Sequence, residues 1–232
     1  MAVALVTGAG RGIGKAIAEV LAMQGFDLAL VARSEAELQG VKEHIQRSSS
    51  VQVAIVVGDV GEQETLQRAV QLAERDLGPL EVLVNNAGKY QTGSAELSHQ
   101  EFDELVRVNL RGAFNGVHEV VPLMKKRRKG YIMNVSSMCG IQGFAGIGAY
   151  CATKHALQGL NESLYRELVP LGLRVTALLP SWVATQMSAS APIADGAKIQ
   201  PSDLGKAVQF LLSLSPGACV KELVIDCSAT PV

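Results

Sequence analysis

Short apolar runs, rich in Val, Leu, Ile and Ala, alternate along the chain with longer segments whose apolar residues recur every three or four positions. The short runs are nearly continuous in apolar residues, which is typical of strands in a sheet that is covered on both faces. The longer segments have the spacing of amphipathic helices. The predicted strands are Val3–Thr7, Leu28–Ala32, Val51–Val57, Leu80–Asn85, Tyr131–Ser136, Arg174–Leu179 and Glu222–Asp226.

The segments between these strands carry helix signals. Glu37 stands three residues after Ser34, the spacing of a capping box at a helix start. The basic run Lys125–Lys129 precedes Gly130, which suits a helix C-terminus, so we interpret this run as a solvated face. The predicted helices are Gly12–Gln24, the helix opened by Ser34, Glu62–Leu77, most of His99–Lys129, Ala149–Val169 and Ser202–Leu214.

Seven strands that alternate with six helices predict an α/β fold with a doubly wound parallel sheet and helices on both faces. No linker, repeat or low-complexity tract interrupts the pattern, so residues 1–232 are predicted to form a single domain. Apolar residues make up 48% of the chain and charged residues 19%, enough for a sizeable core, and with 4% aromatic residues that core must be mainly aliphatic.

Charge and composition exclude several classes of function. The formal net charge of -1 gives no general attraction to nucleic acid or to an anionic membrane, and no apolar stretch is long enough to span a bilayer. The first residues lack a basic leader. The four cysteines and four histidines show no metal-ligand spacing, so we expect reduced thiols, a cytoplasmic protein and no metal site.

The loop between the first predicted strand and the first helix is rich in glycine. Glycine there allows a tight turn and a close approach of the backbone to a pyrophosphate, while the helix N-terminus offers free N–H groups and positive potential. The spacing is G-x-x-x-G-x-G, and between a strand and a helix it predicts a dinucleotide site. The residues of this loop proposed to contact the cofactor are Gly8, Arg11, Gly12, Ile13 and Gly14.

The charge around this site favours NADP(H) over NAD(H). An enzyme of this fold that uses NAD carries a carboxylate at the end of the second strand, but here Ala32 is followed by Arg33. Arg11 adds a second cation, and two guanidinium groups attract a 2′-phosphate. Glu35 and Glu37 fall in the first turn of the next helix, where carboxylates are common for dipole and capping reasons.

Tyr150 and Lys154 are one helical turn apart and share a helix face. A cation a few ångströms away favours the phenolate, so Lys154 is expected to lower the pKa of Tyr150 toward the range useful for general acid–base chemistry. On its own such a pair is common on helix surfaces. It indicates a catalytic site here because the glycine loop precedes it in the chain.

These motifs together resemble the short-chain dehydrogenase/reductase family. Thr7–Gly14 has the form T-G-x-x-x-G-x-G, residues 85–88 read Asn-Asn-Ala-Gly, and residues 150–154 read Y-x-x-x-K. The similarity extends from Val3 to about Thr185. It implies a Rossmann-like fold and an oxidoreductase that transfers a hydride between a nicotinamide and a carbonyl or alcohol carbon.

The resemblance also implies roles for individual residues. Tyr150 is the general acid and base, Ser137 binds the substrate carbonyl, Lys154 also holds the nicotinamide ribose, and Asn109 holds a water in the proton relay. Ser137, rather than the adjacent Ser136, has the family's distance of thirteen residues before the tyrosine. Further cofactor contacts are implied for Asp59, Val60, Asn86, Ala87, Gly88, Pro180, Val183 and Thr185.

The sequence departs from the family pattern in three places. Ser181 replaces the glycine that usually follows Pro180, which predicts a changed turn, and Trp182 either lines the substrate mouth or simply packs. The segment from Met187 to Gln200, which forms the substrate lid in relatives, is short and rich in Ala and Ser, so we expect an open pocket and a mobile lid. The Asp-Gly-Gly common after the last strand is absent, which weakens 3-oxoacyl reduction as the activity.

Three functions stay open from the sequence. The leading one is an NADPH-dependent reductase of a small or medium ketone or aldehyde, or the reverse alcohol dehydrogenase. The second is a 3-oxoacyl-thioester reductase, and the third is a catalytically idle NADPH-binding sensor or scaffold. The resemblance also implies a homotetramer or homodimer formed through the helices after the fourth and fifth strands, here Phe102–Val121 and Ala149–Leu168.

Overall fold

The computed structural model describes residues 2–229. Its seven strands form one sheet in the order β3-β2-β1-β4-β5-β6-β7, and every neighbouring pair is parallel. The doubly wound fold predicted from the sequence is therefore confirmed. The strands are β1 (Val3–Thr7), β2 (Asp27–Ala32), β3 (Val53–Val57), β4 (Leu80–Asn85), β5 (Tyr131–Val135), β6 (Arg174–Pro180) and β7 (Glu222–Ile225).

Two layers of helices cover the sheet. One layer, formed by α1, α2 and α7, packs on one face, and the other, formed by α3, α5 and α6, packs on the opposite face. The helices are α1 (Gly12–Met23), α2 (Glu35–Ser48), α3 (Gln63–Leu72), α4 (His99–Val106), α5 (Gly112–Arg127), α6 (Gly148–Leu168) and α7 (Pro201–Ser213).

The central strands show why their sequences are apolar throughout. Along β1, Ala4 and Val6 enter the core beneath α1, α2 and α7, whereas Val3 and Leu5 enter the core on the other face. Successive side chains of a strand point to opposite faces, so a strand covered on both sides must be apolar at every position. All five residues of β1 are buried. The core is mainly aliphatic, as the composition predicts.

The long helix predicted over His99–Lys129 is interrupted. A π-helical segment, Arg107–Arg111, joins α4 to α5, and a second one, Ala73–Leu77, extends α3. The helix also ends before the predicted C′ glycine, because Arg128 adopts the left-handed conformation with φ 52°. Arg127 pairs with Glu74 and Lys129 with Glu81, so part of the basic run is neutralised within the chain.

The strand order reverses between β3-β2-β1 and β4-β5-β6-β7. The crevice at such a switch point, beyond the carboxyl ends of β1 and β4, is where open α/β sheets bind ligands. No helix within residues 2–229 is long and apolar enough to cross a membrane.

Candidate active site

The glycine loop turns tightly from β1 into α1. A Cβ atom on Gly14 would lie 2.2 Å from the carbonyl oxygen of Gly8, so only glycine permits this packing of helix against loop. Gly12 has φ +55°, a conformation that glycine adopts without strain. Among the described residues no side chain caps the N-terminus of α1, and its first turn has no acidic residue, so its N–H groups suit a phosphate.

The chain after β4 is fastened to this loop by side-chain hydrogen bonds. Asn86 donates from Nδ2 to the carbonyl oxygens of Thr7 at 2.9 Å and Gly8 at 3.1 Å. The backbone N–H groups of Asn86 and Ala87 both donate to Thr7 Oγ1, at 3.0 and 3.1 Å. Thr7 therefore braces the switch point. The sequence signal for it was a hydroxyl at the end of an apolar strand.

Two cations and a carboxylate meet where β2 leads into α2. Arg33 is exposed and takes part in none of the ion pairs found among residues 2–229. Arg11 Nη1 lies 3.2 Å from Glu37 Oε1. Only half of the predicted capping box forms, because Ser34 Oγ accepts from the Glu37 N–H at 3.3 Å while the Glu37 carboxylate turns to Arg11.

Asp59 follows β3 and is held by two hydrogen bonds. The Gly61 N–H donates to Asp59 Oδ1 at 2.8 Å, and Arg107 Nη2 donates to Oδ2 at 3.0 Å. Burial opposes ionisation of this carboxyl, but the bonds from Arg107 and Gly61 outweigh burial and hold the pKa of Asp59 below its usual value. Next to it, the Val60 carbonyl oxygen accepts from the buried Asn115 at 2.9 Å.

Tyr150 and Lys154 lie together on α6, as their spacing predicts. Lys154 Nζ is 5.7 Å from the centroid of the Tyr150 ring and donates to the Val135 carbonyl oxygen at 3.0 Å. Both side chains are buried. Of the two adjacent serines, Ser137 lies beside the phenol, whereas Ser136 Oγ donates to the Lys154 carbonyl oxygen at 3.5 Å.

The electrostatics of this pair differ from the sequence prediction. Burial, reinforced by the neighbouring Cys139 thiol, raises the pKa of Tyr150 above its ordinary value, and a hydrogen bond from Ser137 only partly offsets the rise. Burial also lowers the pKa of Lys154 to about 8. The expected lowering of the Tyr150 pKa by the lysine is therefore wrong for the protein alone, because burial disfavours both charged forms.

Asn109 lies in the π-helical segment Arg107–Arg111, behind the cleft. Its Oδ1 accepts from the Lys89 N–H at 2.7 Å, and its Nδ2 donates to the Lys89 carbonyl oxygen at 2.9 Å and to Thr153 Oγ1 at 3.0 Å. Both amide hydrogens are thus used within the protein. π-Helical turns within helices recur at functional sites, and here one turns a buried asparagine toward the helix that carries Tyr150.

Buried amides that sequence reasoning did not select support the site from below. Asn85 donates to Asn134 Oδ1 at 3.0 Å, and Asn134 donates to Asn161 Oδ1 at 2.9 Å. This chain of bonds runs from β4 through β5 to α6. Buried polar side chains must find partners, so asparagines within predicted apolar strands were the available signal.

The segment after β6 closes over the glycine loop. A Cβ on Gly12 would lie 3.2 Å from Thr185 Cγ2, which places Thr185 against the start of α1. Ser181 Oγ accepts from the Cys227 N–H at 2.6 Å and so ties this segment to the chain after β7. Trp182 is half-buried, lines the cleft and packs against the buried cluster of Val183, Ile199, Leu204 and Cys227.

The segment expected to form an open, mobile lid is braced by a lysine. Lys198 is buried, and its Nζ donates to the Ser188 carbonyl oxygen at 2.7 Å and pairs with Asp195 Oδ1 at 2.8 Å. Ser188 Oγ in turn donates to the Val183 carbonyl oxygen at 2.5 Å. These bonds hold Met187 at the cleft, where its side chain remains exposed.

A cleft of about 1730 Å³ runs from the glycine loop to Tyr150 and is bordered by the lid segment. Every site residue predicted from the sequence lines it except two. Gly14 lies beneath the loop, and Asn109 lies behind Lys89. Within residues 2–229, no group of three or more His, Cys, Asp or Glu side chains is arranged to hold a metal ion.

Residues 2–195 match the protein family described as short chain dehydrogenase. Relatives include uncharacterized oxidoreductases of Staphylococcus aureus and Staphylococcus saprophyticus. Each is 30% identical over 224 residues, which cover 96% of this chain and 96% of the relative.

Solved structures resemble this one over nearly its whole length. An alcohol dehydrogenase from the archaeon Thermococcus sibiricus, complexed with 5-hydroxy-NADP, has a TM-score of 0.92 and 31% identity, with 100% of this chain and 99% of that chain covered. A variant of actinorhodin polyketide ketoreductase with NADPH has a TM-score of 0.88 and 30% identity, with 97% of this chain and 94% of that chain covered. A betaketoacyl-ACP reductase from Bacteroides thetaiotaomicron has a TM-score of 0.87 and 36% identity, with 98% of this chain and 97% of that chain covered.

Proposed function

The chain belongs to the short chain dehydrogenase family and is an oxidoreductase of that family, and on this premise we propose that it is an NADPH-dependent carbonyl reductase, or an alcohol dehydrogenase in the reverse direction. The observation that carries the proposal is the position of Ser137, Tyr150 and Lys154 at one end of a cleft whose other end is the glycine loop. NADPH bound along that cleft supplies the hydride.

The cofactor fits the residues present at the loop end. The side-chain-free surface at Gly8 and Gly12 and the uncapped start of α1 suit the pyrophosphate. Arg33 and Arg11 would pair with the 2′-phosphate, which makes NADP(H) the preferred cofactor. Two structural neighbours, the alcohol dehydrogenase and the polyketide ketoreductase, were solved with NADP-type ligands, which supports this preference.

Two side chains act on the substrate and two support them. Ser137 Oγ–H donates to the substrate oxygen and orients it, and Tyr150 donates its phenolic proton to the same oxygen as negative charge develops there. The raised pKa keeps Tyr150 protonated at neutral pH, as an acid must be. The Lys154 ammonium stabilises the phenolate left after transfer, and Asn109 fixes the backbone of Lys89 beside the site.

A 3-oxoacyl-thioester reductase is the second candidate, and it is favoured by the similarity to the betaketoacyl-ACP reductase. Both candidates use the same residues and differ in the substrate. A catalytically idle NADPH-binding sensor is the third, and the presence of Ser137, Tyr150 and Lys154 together in the cleft argues against it.

The decay of NADPH absorbance against a panel of carbonyl compounds tests the proposal. The panel contains alkyl and aryl ketones, aldehydes and a 3-oxoacyl thioester, each assayed with NADPH and with NADH. We expect turnover of simple carbonyls with a preference for NADPH. Turnover of the thioester alone would favour the second candidate, and tight NADPH binding without turnover of any compound would favour the sensor.

We also propose that the chain forms a homodimer or homotetramer through α4, α5 and α6. Phe114 on α5 is exposed, and a groove of about 320 Å³ beside it is lined almost entirely by apolar side chains, among them Leu110 and Leu160. A second copy that presents the same face would bury this surface. Light scattering tests the assembly by measuring the molar mass in solution. The unaltered chain should have the mass of a dimer or tetramer, and Phe114→Glu should have a lower mass because it dissociates.

A further inference from the structure

Apolar side chains surround the phenol of Tyr150. The Tyr90 ring meets the Tyr150 ring edge-on, with centroids 5.2 Å apart. Tyr150 forms an apolar cluster with Cys139 and Cys151, and Ile147 packs against this cluster. Burial raises the pKa of Cys139 to about 11, so this thiol stays neutral and acts as a small apolar group. A substrate whose oxygen reaches Tyr150 must therefore pass between apolar walls.

Apolar side chains also stand at the rim of the cleft near Tyr150, next to the exposed polar Gln142. Phe144 lies in the loop that joins β5 to α6, and 40% of its surface is exposed although it lines the cleft. Met187, at the start of the lid segment, is 46% exposed. Hydrogen bonds from the Gly93 N–H to the Gly146 carbonyl oxygen and from the Gly148 N–H to Ser94 Oγ hold the Phe144 loop in place.

This end of the cleft offers little to an anionic substrate. Beyond residue 59, the charged residues that line the cleft within residues 2–229 are Lys89, Lys154 and Asp226. Lys89 Nζ lies 3.9 Å from Glu104 Oε1, a carboxylate that Arg107 also binds. Arg107 pairs with Asp59 and Glu62 as well, so two cations here face three carboxylates. Lys154 is buried beside Tyr150.

We propose that the carbonyl substrate is uncharged and apolar: an alkyl or aryl ketone or aldehyde, or a neutral ester of an oxo acid, and not an oxo-acid anion. This inference rests on the proposed function and narrows its substrate class. An anion would lose hydration between Tyr90, Ile147 and Phe144, whereas an apolar group would gain buried contact with the same side chains. Among the described residues at this end of the cleft, Lys154 is buried and Lys89 lies beside a carboxylate, so an anion would not meet a cation that is both exposed and unshared.

Matched pairs of substrates that differ in charge test this inference. The full chain with NADPH is assayed with ethyl 3-oxobutanoate against 3-oxobutanoate, and with ethyl phenylglyoxylate against phenylglyoxylate. We expect kcat/KM for each ester to exceed that of its anion by about 100-fold at pH 7, the scale of discrimination that an unpaired polar group produces. Anions reduced as efficiently as their esters would overturn the inference.

Variants at the rim separate the role of the cleft from the intrinsic reactivity of the substrates. Phe144→Ala should raise KM for the aryl ester several-fold with little change in kcat, whereas Phe210→Ala, which removes an exposed phenylalanine from α7 outside the cleft, should change neither. Phe144→Arg places a cation at the rim, so the ratio of kcat/KM for the ester to kcat/KM for the anion should be at least tenfold smaller than in Phe144→Ala. An unchanged ratio would contradict the inference.

Failure of the proposed function would give a different result. If neither member of a pair is reduced although NADPH binds, the protein is not a reductase of these carbonyls. The increase in Tm that each compound causes in the NADP⁺ complex then shows whether the cleft binds the ester or the anion. Stabilisation by the esters and not by the anions supports an apolar ligand site, and the reverse result overturns it.

Discussion

Asn109 donates a hydrogen bond of 3.0 Å to Thr153, the residue that precedes Lys154 on α6. Thr153 Oγ1 in turn donates to the Tyr150 carbonyl oxygen at 2.8 Å. The π-helical segment between α4 and α5 is thus bonded to the turn of α6 that carries the proposed acid and its lysine. Through Lys89, the same asparagine also fixes the chain that leads into Tyr90.

Replacing Asn109 by Ala should weaken both stability and catalysis. The N–H and carbonyl of Lys89 would lose their partners, which we expect to cost about 2–4 kcal/mol in free energy of unfolding. In a chain of this size that lowers Tm by roughly 4–16 °C. Asn161→Ala, which removes another buried asparagine from α6, is the control: it should cost similar stability but less kcat. Equal loss of kcat in both variants would refute a specific positioning role.

Lys154→Met should stabilise the protein without cofactor at neutral pH. Because burial lowers the Lys154 pKa from 10.5 to about 8, the unfolded chain binds more protons than the folded one between these values, so stability rises with pH across that window. Below pH 8 the buried charge destabilises the folded protein to its full extent. At pH 7 its removal should raise the free energy of unfolding by about 1–3 kcal/mol, a net figure that includes the loss of the hydrogen bond to Val135.

Thermal denaturation of both forms from pH 7 to 10 measures this effect. The advantage of Lys154→Met should shrink as the pH rises above 8. Loss of stability in the variant at pH 7 would show that the ammonium is well accommodated, and the physical account of the pair would then be wrong.

Arg33→Asp should reverse the cofactor preference. Replacing an exposed cation by a carboxylate removes the pairing with a 2′-phosphate and adds repulsion, so KM for NADPH should rise by about 100-fold while KM for NADH changes little. Arg47→Asp, on the same face of the sheet but outside the cleft, is the matched control. Equal loss for both cofactors would contradict NADP preference.

Glu37→Gln should improve NADPH binding. The Glu37 carboxylate occupies Arg11 and would compete with a 2′-phosphate for that guanidinium. Because both side chains are well exposed, the gain should be modest, about two- to fivefold in the Kd for NADPH, and it should fade at high salt. Fluorescence titration with NADPH and NADH measures it. Weaker NADPH binding in this variant would show that Glu37 contributes to the site.

The sequence predicted the sheet well because strand identity depends on local apolar runs, and most strand ends fall within a residue of the prediction. It did not predict the π-helical segment at Asn109, whose side chain bonds to Lys89 and Thr153, both distant in sequence. The spacing of Glu37 predicts that its carboxylate bonds to the start of its own helix. It binds Arg11 because the fold brings the glycine loop next to it.

Most of the candidate site could be predicted because its residues occur in short motifs at chain positions that parallel sheets bring together. The pKa values could not. Spacing shows that Tyr150 and Lys154 are neighbours, but only the packing of Tyr90, Cys139 and Ile147 shows that the pair is buried, and burial reverses the expected direction of the Tyr150 pKa.

The central claim is that Tyr150 delivers the proton, and Tyr150→Phe tests it most directly because it removes one hydroxyl and leaves the ring packed against Tyr90. Single-turnover reduction of the best carbonyl substrate is measured with enzyme-bound NADPH, and cofactor binding is measured separately. Tyr90→Phe is the control, since it removes a neighbouring hydroxyl. We expect Tyr150→Phe to slow hydride transfer by at least about 10³-fold, with the Kd for NADPH nearly unchanged. A rate within tenfold of the unaltered protein would contradict the account.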